Sequence, residues 1–343
     1  MSTAGNKSKL KSMLKTGLKI AFVALVFWWL SKKNLISVSS LIGGLEKWPL
    51  LLMGLVCLVS STFLATFRWG ILLKAQDIRL KGSRLLQLQF IGNFFNVALP
   101  GAVSGDFVKA YYIAHESPGN RARAFGSILF DRILGLSALV VVSLSALLLE
   151  AEHFIGSPVL AGIKVFVIMS GVAVFVFYTY LFLVREAHDP LLQIFQRLEK
   201  TKPAFGSLVR IYLGIRVYHS ARRTVLKALA VACTVHVLSA TGCLCFAWAL
   251  GEVQIPTHGL YVVAPLGLLV TAVPILPGGV GTGHAAFSFL FNLLGSQRGA
   301  DIFSYFVLCQ LLIGAVGGVI YLRFKAASPG LTDDMLQEIG SST

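Results

Sequence analysis

Charge is scarce in this chain and acid scarcer still: 13% of its 343 residues are charged, and 15 Asp and Glu stand against 30 Lys and Arg. A soluble globular protein carries roughly 25% charged residues, so an ordinary soluble domain is excluded. Cysteine is also sparse. Cys57, Cys233, Cys243, Cys245 and Cys309 all fall inside apolar stretches, with no C-x-x-C pair and no histidine at zinc-ligand spacing. They read as small core hydrophobes, with a metal or redox role for Cys243 and Cys245 as the alternative, and neither a metal nor a cofactor is expected. Nucleotide-binding loops are missing too. The longest polar stretch, residues 185–225, is too short for an independent enzyme fold.

What the chain has in abundance is apolar length. Hydrophobic residues make up 56% of it, in runs near 20 residues, long enough at 1.5 Å per residue to cross a hydrocarbon layer about 30 Å thick. The reading is an all-α polytopic membrane protein. Six full spans are expected at about 17–36, 48–73, 124–149, 158–184, 226–250 and 302–323. Lys7, Lys9, Lys11, Lys15 and Lys19 precede the first of these, but Ser31-Lys32-Lys33 follows it with no small-residue cleavage site. It is therefore read as a retained span rather than a signal peptide.

Two further apolar segments, 85–113 and 259–295, are broken at Leu99-Pro100-Gly101 and Leu276-Pro277-Gly278-Gly279. Such breaks free backbone groups that lipid cannot satisfy. If each segment enters and returns on one side, 22 of the 30 Lys and Arg residues lie on a single face and four lie in the loops of the other. The positive-inside rule then makes the first face, with both termini, cytoplasmic. This arrangement opposes the two re-entrant segments across the membrane, as in inverted-repeat transporters. The sequence shows no strong internal repeat, so an inverted pseudo-repeat is an expectation about the fold. Residues 1–325 read as one integral domain, with a flexible cytoplasmic tail at 326–343.

Within the first break, Asn93, Asn96, Asp106 and Lys109 interrupt an otherwise apolar run. Charges at membrane depth cost several kcal/mol unless paired or hydrated. The i, i+3 spacing lets Asp106 and Lys109 pair. Pro100, Gly101 and Gly105 suit a tight turn and helix start, whose free N–H groups favour an anionic head group; a plain chain reversal uses the same residues. Asp131 and Arg132 are neighbours about 100° apart on a helix and must find partners elsewhere. Asp106 or a lipid phosphate suits Arg132, because guanidinium meets either in a bidentate fit. Arg68, beside Trp69, reads as an interfacial anchor or a head-group contact.

The second break offers Pro277, Gly278, Gly279 and Gly281, which permit unwound backbone, and His284, its one titratable group. His284 suits proton coupling, head-group binding or a hydrogen-bonded core. Residues 185–225 alternate cations with Leu, Ile, Phe and Tyr, as helices lying on an anionic membrane surface do. No nucleic-acid motif accompanies the net charge of +15.

Taken in order, Arg68-Trp69, F-N-x-x-L-P-G-x-x-x-G-D-x-x-K-A-Y-Y, Asp131-Arg132 with Gly135-Leu136, and P-x-x-P-G-G-x-G-T resemble the lysylphosphatidylglycerol synthase transmembrane region family. That family includes the flippase half of the multiple peptide resistance factor. The resemblance, over about residues 15–325, implies a prokaryotic inner-membrane module that translocates anionic or aminoacylated phospholipids. Where the family usually carries Glu after the second break, this chain has His284.

In two-part members a separate soluble domain performs aminoacyl transfer, and nothing of that kind follows the last span here. The chain is therefore expected to be a non-enzymatic flippase. The alternatives are a scaffold for a lipid-modifying synthase or glycosyltransferase, and a membrane-embedded lipid-linked group transferase using Asp106, Asp131 or His284. Expected partners are phospholipids, the bilayer, a second copy of the chain or a lipid synthase, and no nucleic acid.

Overall fold

The computed structural model describes residues 38–98, 104–116, 121–149, 158–202, 205–272 and 279–327. The expected span at 17–36, the turn residues Pro100, Gly101, Pro277 and Gly278, and the tail from 328 onward lie outside them.

Among the described residues the chain is helical. A short α1 (Val38–Gly44) leads into α2 (Trp48–Ala75), followed by α3 (Gly82–Ala98), α4 (Ser104–Glu116), α5 (Arg121–Leu149) and α6 (Pro158–Leu183). Two short helices, α7 (Pro190–Thr201) and α8 (Gly206–Arg216), precede α9 (Arg222–Ala249), α10 (Thr257–Thr271), α11 (Thr282–Asn292) and α12 (Gly299–Ala327). Five of these, α2, α5, α6, α9 and α12, are long and apolar enough to cross a membrane.

The two broken segments are helical hairpins, α3/α4 and α10/α11. Arg84 pairs with Glu116 and ties the two ends of the first together. Gly259, near the start of α10, lies against Leu294, just past α11, and so closes the second. They open at opposite ends of the bundle because α2 and α9 run antiparallel. At one end Lys47 Nζ donates to the Trp248 carbonyl at 3.3 Å. At the other, the Tyr218 hydroxyl, just before α9, donates to the Leu72 carbonyl at 3.1 Å.

The order span, hairpin, span occurs twice. Helices α2 to α5 have 28, 17, 13 and 29 residues, and α9 to α12 have 28, 15, 11 and 29. Packing follows the same exchange: α2 lies on α9, α3 on α12 and α10 on α5. Two opposed halves with matching partners form an inverted structural pseudo-repeat. Close backbone approach holds the halves together, as in membrane bundles that rely on small residues. A Cβ at Gly317 of α12 would fall 1.9 Å from the Phe90 carbonyl of α3.

Helix α6 stands between the halves and packs mainly on α5. Phe166, Met169 and Phe175 are exposed along it, the outward apolar surface of a lipid-facing helix.

Candidate functional site

The first hairpin brings together most of the polar residues expected from the sequence. Gly105, second residue of α4, lies so close to α3 that a Cβ would sit 1.9 Å from the Gly92 carbonyl. This approach lets the Asn96 side-chain oxygen accept from the Gly105 N–H at 2.8 Å, capping one of the orphan amides at the start of α4. Asn93 faces Gln89 rather than the turn, accepting from its amide at 3.2 Å.

Asp106, the residue after Gly105, is 9% exposed and holds two cations. Lys109 Nζ lies 2.9 Å from one carboxylate oxygen and Arg132 Nε 2.5 Å from the other. The expected i, i+3 pair and the expected Arg132 contact therefore coexist. Lys109 also reaches Gln89 at 3.4 Å and stands 4.8 Å from the Trp69 ring centroid, a cation–π distance. The triad carries one net positive charge. Its Lys109 side chain is enclosed, at 6% exposure, whereas that of Arg132 is 28% exposed. A guanidinium can serve a carboxylate and an oxyanion in the same plane, which makes the part-exposed Arg132 the most accessible member of the triad.

Arg68 departs from expectation. It is 8% exposed, neither an interfacial anchor nor an open head-group contact. Nε and one terminal nitrogen each meet an Asp131 oxygen at 2.8 Å, a bidentate pair joining α2 to α5. A Cβ at Gly135 would lie only 3.6 Å from the guanidinium. Asp131 and Arg132, adjacent in sequence, thus serve two separate ion pairs, as their angular separation requires.

In the second hairpin Gly279 and Gly281 have φ of 70° and 87°, conformations that favour glycine. His284 is fully buried. Its Nδ1 accepts from the Gly281 N–H at 3.2 Å and its Nε2 lies 3.1 Å from Ser304 Oγ, which donates to the Ala300 carbonyl at 3.0 Å. This chain of donors makes Nε2 the protonated nitrogen of a neutral ring. His284 caps the start of α11 and packs edge-on against Phe303 at 4.9 Å. The hydrogen-bonded core reading describes this geometry, and the ring does not reach the Asp106 cluster.

Sequence reasoning missed Trp69 and Gln89 as partners of Lys109, and it missed Asp189 altogether. Asp189 is fully buried and accepts from the Tyr180 hydroxyl at 2.5 Å, the Tyr212 hydroxyl at 2.8 Å and the Leu192 N–H at 3.1 Å, with Arg216 Nε at 3.1 Å. Burial opposes its charge, but Tyr180, the Leu192 N–H, Tyr212 and Arg216 together hold its carboxyl below the usual range. The same surroundings, burial first, push the Tyr212 phenol up. Arg216, His219 and Arg222 also engage the carbonyls of Leu181, Val184 and Phe182 at the end of α6, where a helix favours cations. The amphipathic segment is thereby fixed to the bundle, with Leu191, Ile194 and Leu198 exposed along α7. The sequence signal was Asp189-Pro190, an N-cap followed by proline at the first helical position.

The cysteines are free, and no cluster of metal-ligating side chains occurs among the described residues.

No solved structure was found to match the chain. A UPF0104 membrane protein of Pyrococcus horikoshii, PH1989, is 22% identical over 337 residues, covering 92% of this chain and 97% of that protein. The family described as the lysylphosphatidylglycerol synthase TM region matches residues 17–319. With that match running through both hairpins and all five long helices, the chain belongs to the lysylphosphatidylglycerol synthase transmembrane region family.

Proposed function

We propose that the protein is a lipid translocase that receives the phosphate of an anionic or aminoacylated phospholipid at the Asp106, Lys109 and Arg132 triad. The observation that carries this reading is the triad's charge. A buried carboxylate shared by two cations leaves one positive charge at membrane depth, with the Arg132 side chain 28% exposed. A buried network kept only for stability gains little over apolar packing. A part-exposed guanidinium held at membrane depth beside a buried Lys–Asp pair is chemically suited to meet an anionic head group. The opposed hairpins supply two halves able to rock about such a site. The acyl chains stay in lipid throughout, and the face rich in Lys and Arg is the cytoplasmic one. The reaction is transport, driven by the membrane potential, an ion gradient or the lipid gradient.

The test is head-group accessibility in proteoliposomes containing lysyl-, alanyl- or unmodified phosphatidylglycerol, with Arg132→Gln and Asp106→Asn beside the wild type. Selective protein-dependent movement, lost in both folded variants, is the expected result. Absence of movement for every lipid would overturn the reading and favour a scaffold for a lipid-modifying enzyme.

A further inference from the structure

At the end of the bundle opposite the cation-rich loops, α1, the residues just before α2 and α12, and the end of α9 border an open surface pocket of about 370 Å³. Its charged lining consists of Lys47 and Arg298, with Ser39 and the Gly43, Gly44 and Gly251 backbone around them. Lysine and arginine are depleted from the loops of this face. Among its described loop residues the two that occur, 251 positions apart, both line this pocket. Each is held in place with donors to spare. Lys47 Nζ gives one hydrogen bond, to the Trp248 carbonyl. Arg298 Nε lies 3.6 Å from Glu252, with 39% of the Arg298 side chain exposed. An ammonium has three donors and a guanidinium five, so an oxyanion between them finds several.

The pocket's rim says where that oxyanion comes from. Ile42 (62% exposed), Leu45 (58%) and Trp48 (63%) are sequence neighbours of the lining residues Gly43, Gly44 and Lys47, and Val253 (63%) follows two residues after Gly251, so large apolar side chains are exposed on the segments that carry the pocket. Large apolar side chains around a cationic pocket at the end of transmembrane helices mark the boundary between head groups and acyl chains, where tryptophan is enriched. A free phosphate has no use for such a rim. A phospholipid uses both parts, its phosphate against the cations and its chains against the rim.

We infer that this pocket is a second head-group station, a phosphate site at the membrane boundary of the face opposite the Lys- and Arg-rich loops. Its place on a transport route rests on the translocase reading, but its binding of phosphate does not. Lys47 and Arg298 hold the phosphate, and Trp48 lies against the glycerol and upper acyl chain.

The experiment uses the purified full chain in nonionic detergent, with short-chain phosphatidylglycerol brominated on its acyl chains as the probe and tryptophan quenching as the readout. Wild type should show saturable quenching, which Trp48→Phe diminishes. Lys47→Gln with Arg298→Gln should weaken binding about tenfold, equivalent to about 1.4 kcal/mol, at unchanged melting temperature. Binding by the double variant equal to wild type overturns the proposal. So does equal competition by inorganic phosphate or glycerol phosphate, which would make the pocket a free-phosphate site. If no lipid is translocated while the Trp48 signal still depends on Lys47 and Arg298, the translocase reading fails and the pocket stands. If translocation and binding both survive the double substitution, the pocket fails alone.

Discussion

The two hairpins share an architecture and differ in chemistry. Each puts a glycine second and a titratable residue third in its returning helix: Gly105 and Asp106 in α4, Gly283 and His284 in α11. Each must satisfy the amides left by the break. The first does so with an Asn96 cap and then gathers two cations around Asp106. The second turns its third residue back on its own backbone, so that neutral His284 caps Gly281 and locks on to Ser304. Opposite halves of one pseudo-repeat thus hold a carboxylate with two cations in one case and a packed, hydrogen-bonded imidazole in the other.

The largest expected effect comes from breaking the pair that anchors the charged half. Asp131→Asn leaves Arg68 buried without its bidentate partner, and removing one member of a buried pair costs about 3–5 kcal/mol. A steep fall in detergent melting temperature should follow, and replacing both residues with apolar ones of similar volume should recover much of it. An Asp131→Asn variant that melts with wild type would show that the charged half is not held by this pair.

Next in size is Gly105→Ala. The added methyl meets the Gly92 carbonyl 1.9 Å away, and overpacking of this kind costs about 1–3 kcal/mol. Since the clash pushes α4 off α3 and displaces Asp106, head-group movement should fall further than stability does. Equal losses in both measurements would mean that the hairpin geometry serves only the fold.

The comparison itself is sharpened by substituting the two third residues. Asp106→Asn should abolish translocation, whereas His284→Gln, whose side chain can reproduce one of the two hydrogen bonds, should lose about 1 kcal/mol of stability and keep most of the movement. The reverse outcome would move the working site to the second hairpin.

How much of this was legible before the fold is instructive. Hydropathy and apolar length pointed to the long helices, and charge counting to the opposition of the hairpins, because both depend on quantities summed over many residues. The contact between Arg132 and Asp106 was foreseeable because a charged residue inside an apolar segment needs a partner and few exist. The Arg68 partner was not, since Asp131 is 63 positions away and nothing local distinguishes it from Asp106. His284 stood among glycines, which suit a binding loop and a tight cap equally. Only the Ser304 and Gly281 contacts decide between these, and both depend on packing that spacing does not encode. The structural pseudo-repeat was hidden for a related reason. The shared Leu-Pro-Gly at each break is too short to rise above a membrane protein's uniform composition, while helix lengths and packing partners preserve it.

The smallest effect concerns the segment that hangs from the bundle, where the buried Asp189 carboxylate joins the cation-to-carbonyl contacts at the end of α6 in holding the two short helices. Asp189 has its pKa held below the ordinary value by Tyr180, the Leu192 N–H, Tyr212 and Arg216 despite its burial. A depressed pKa means that the unfolded segment binds the proton more readily than the folded one. The stabilisation is therefore complete above the ordinary carboxylate pKa of about 3.9 and drains away as pH falls through the lower folded value. Amide exchange in α7 and α8, corrected for its intrinsic pH dependence, should rise selectively as the protein is acidified below about pH 4, while the α2 and α9 interface stays protected. Asp189→Asn should bring that fraying to neutral pH and abolish its acid dependence. If the variant and wild type exchange alike at neutral pH, the two tyrosines and Arg216 hold the helices unaided, and the sheath of exposed Leu191, Ile194 and Leu198 against lipid becomes the stronger tether.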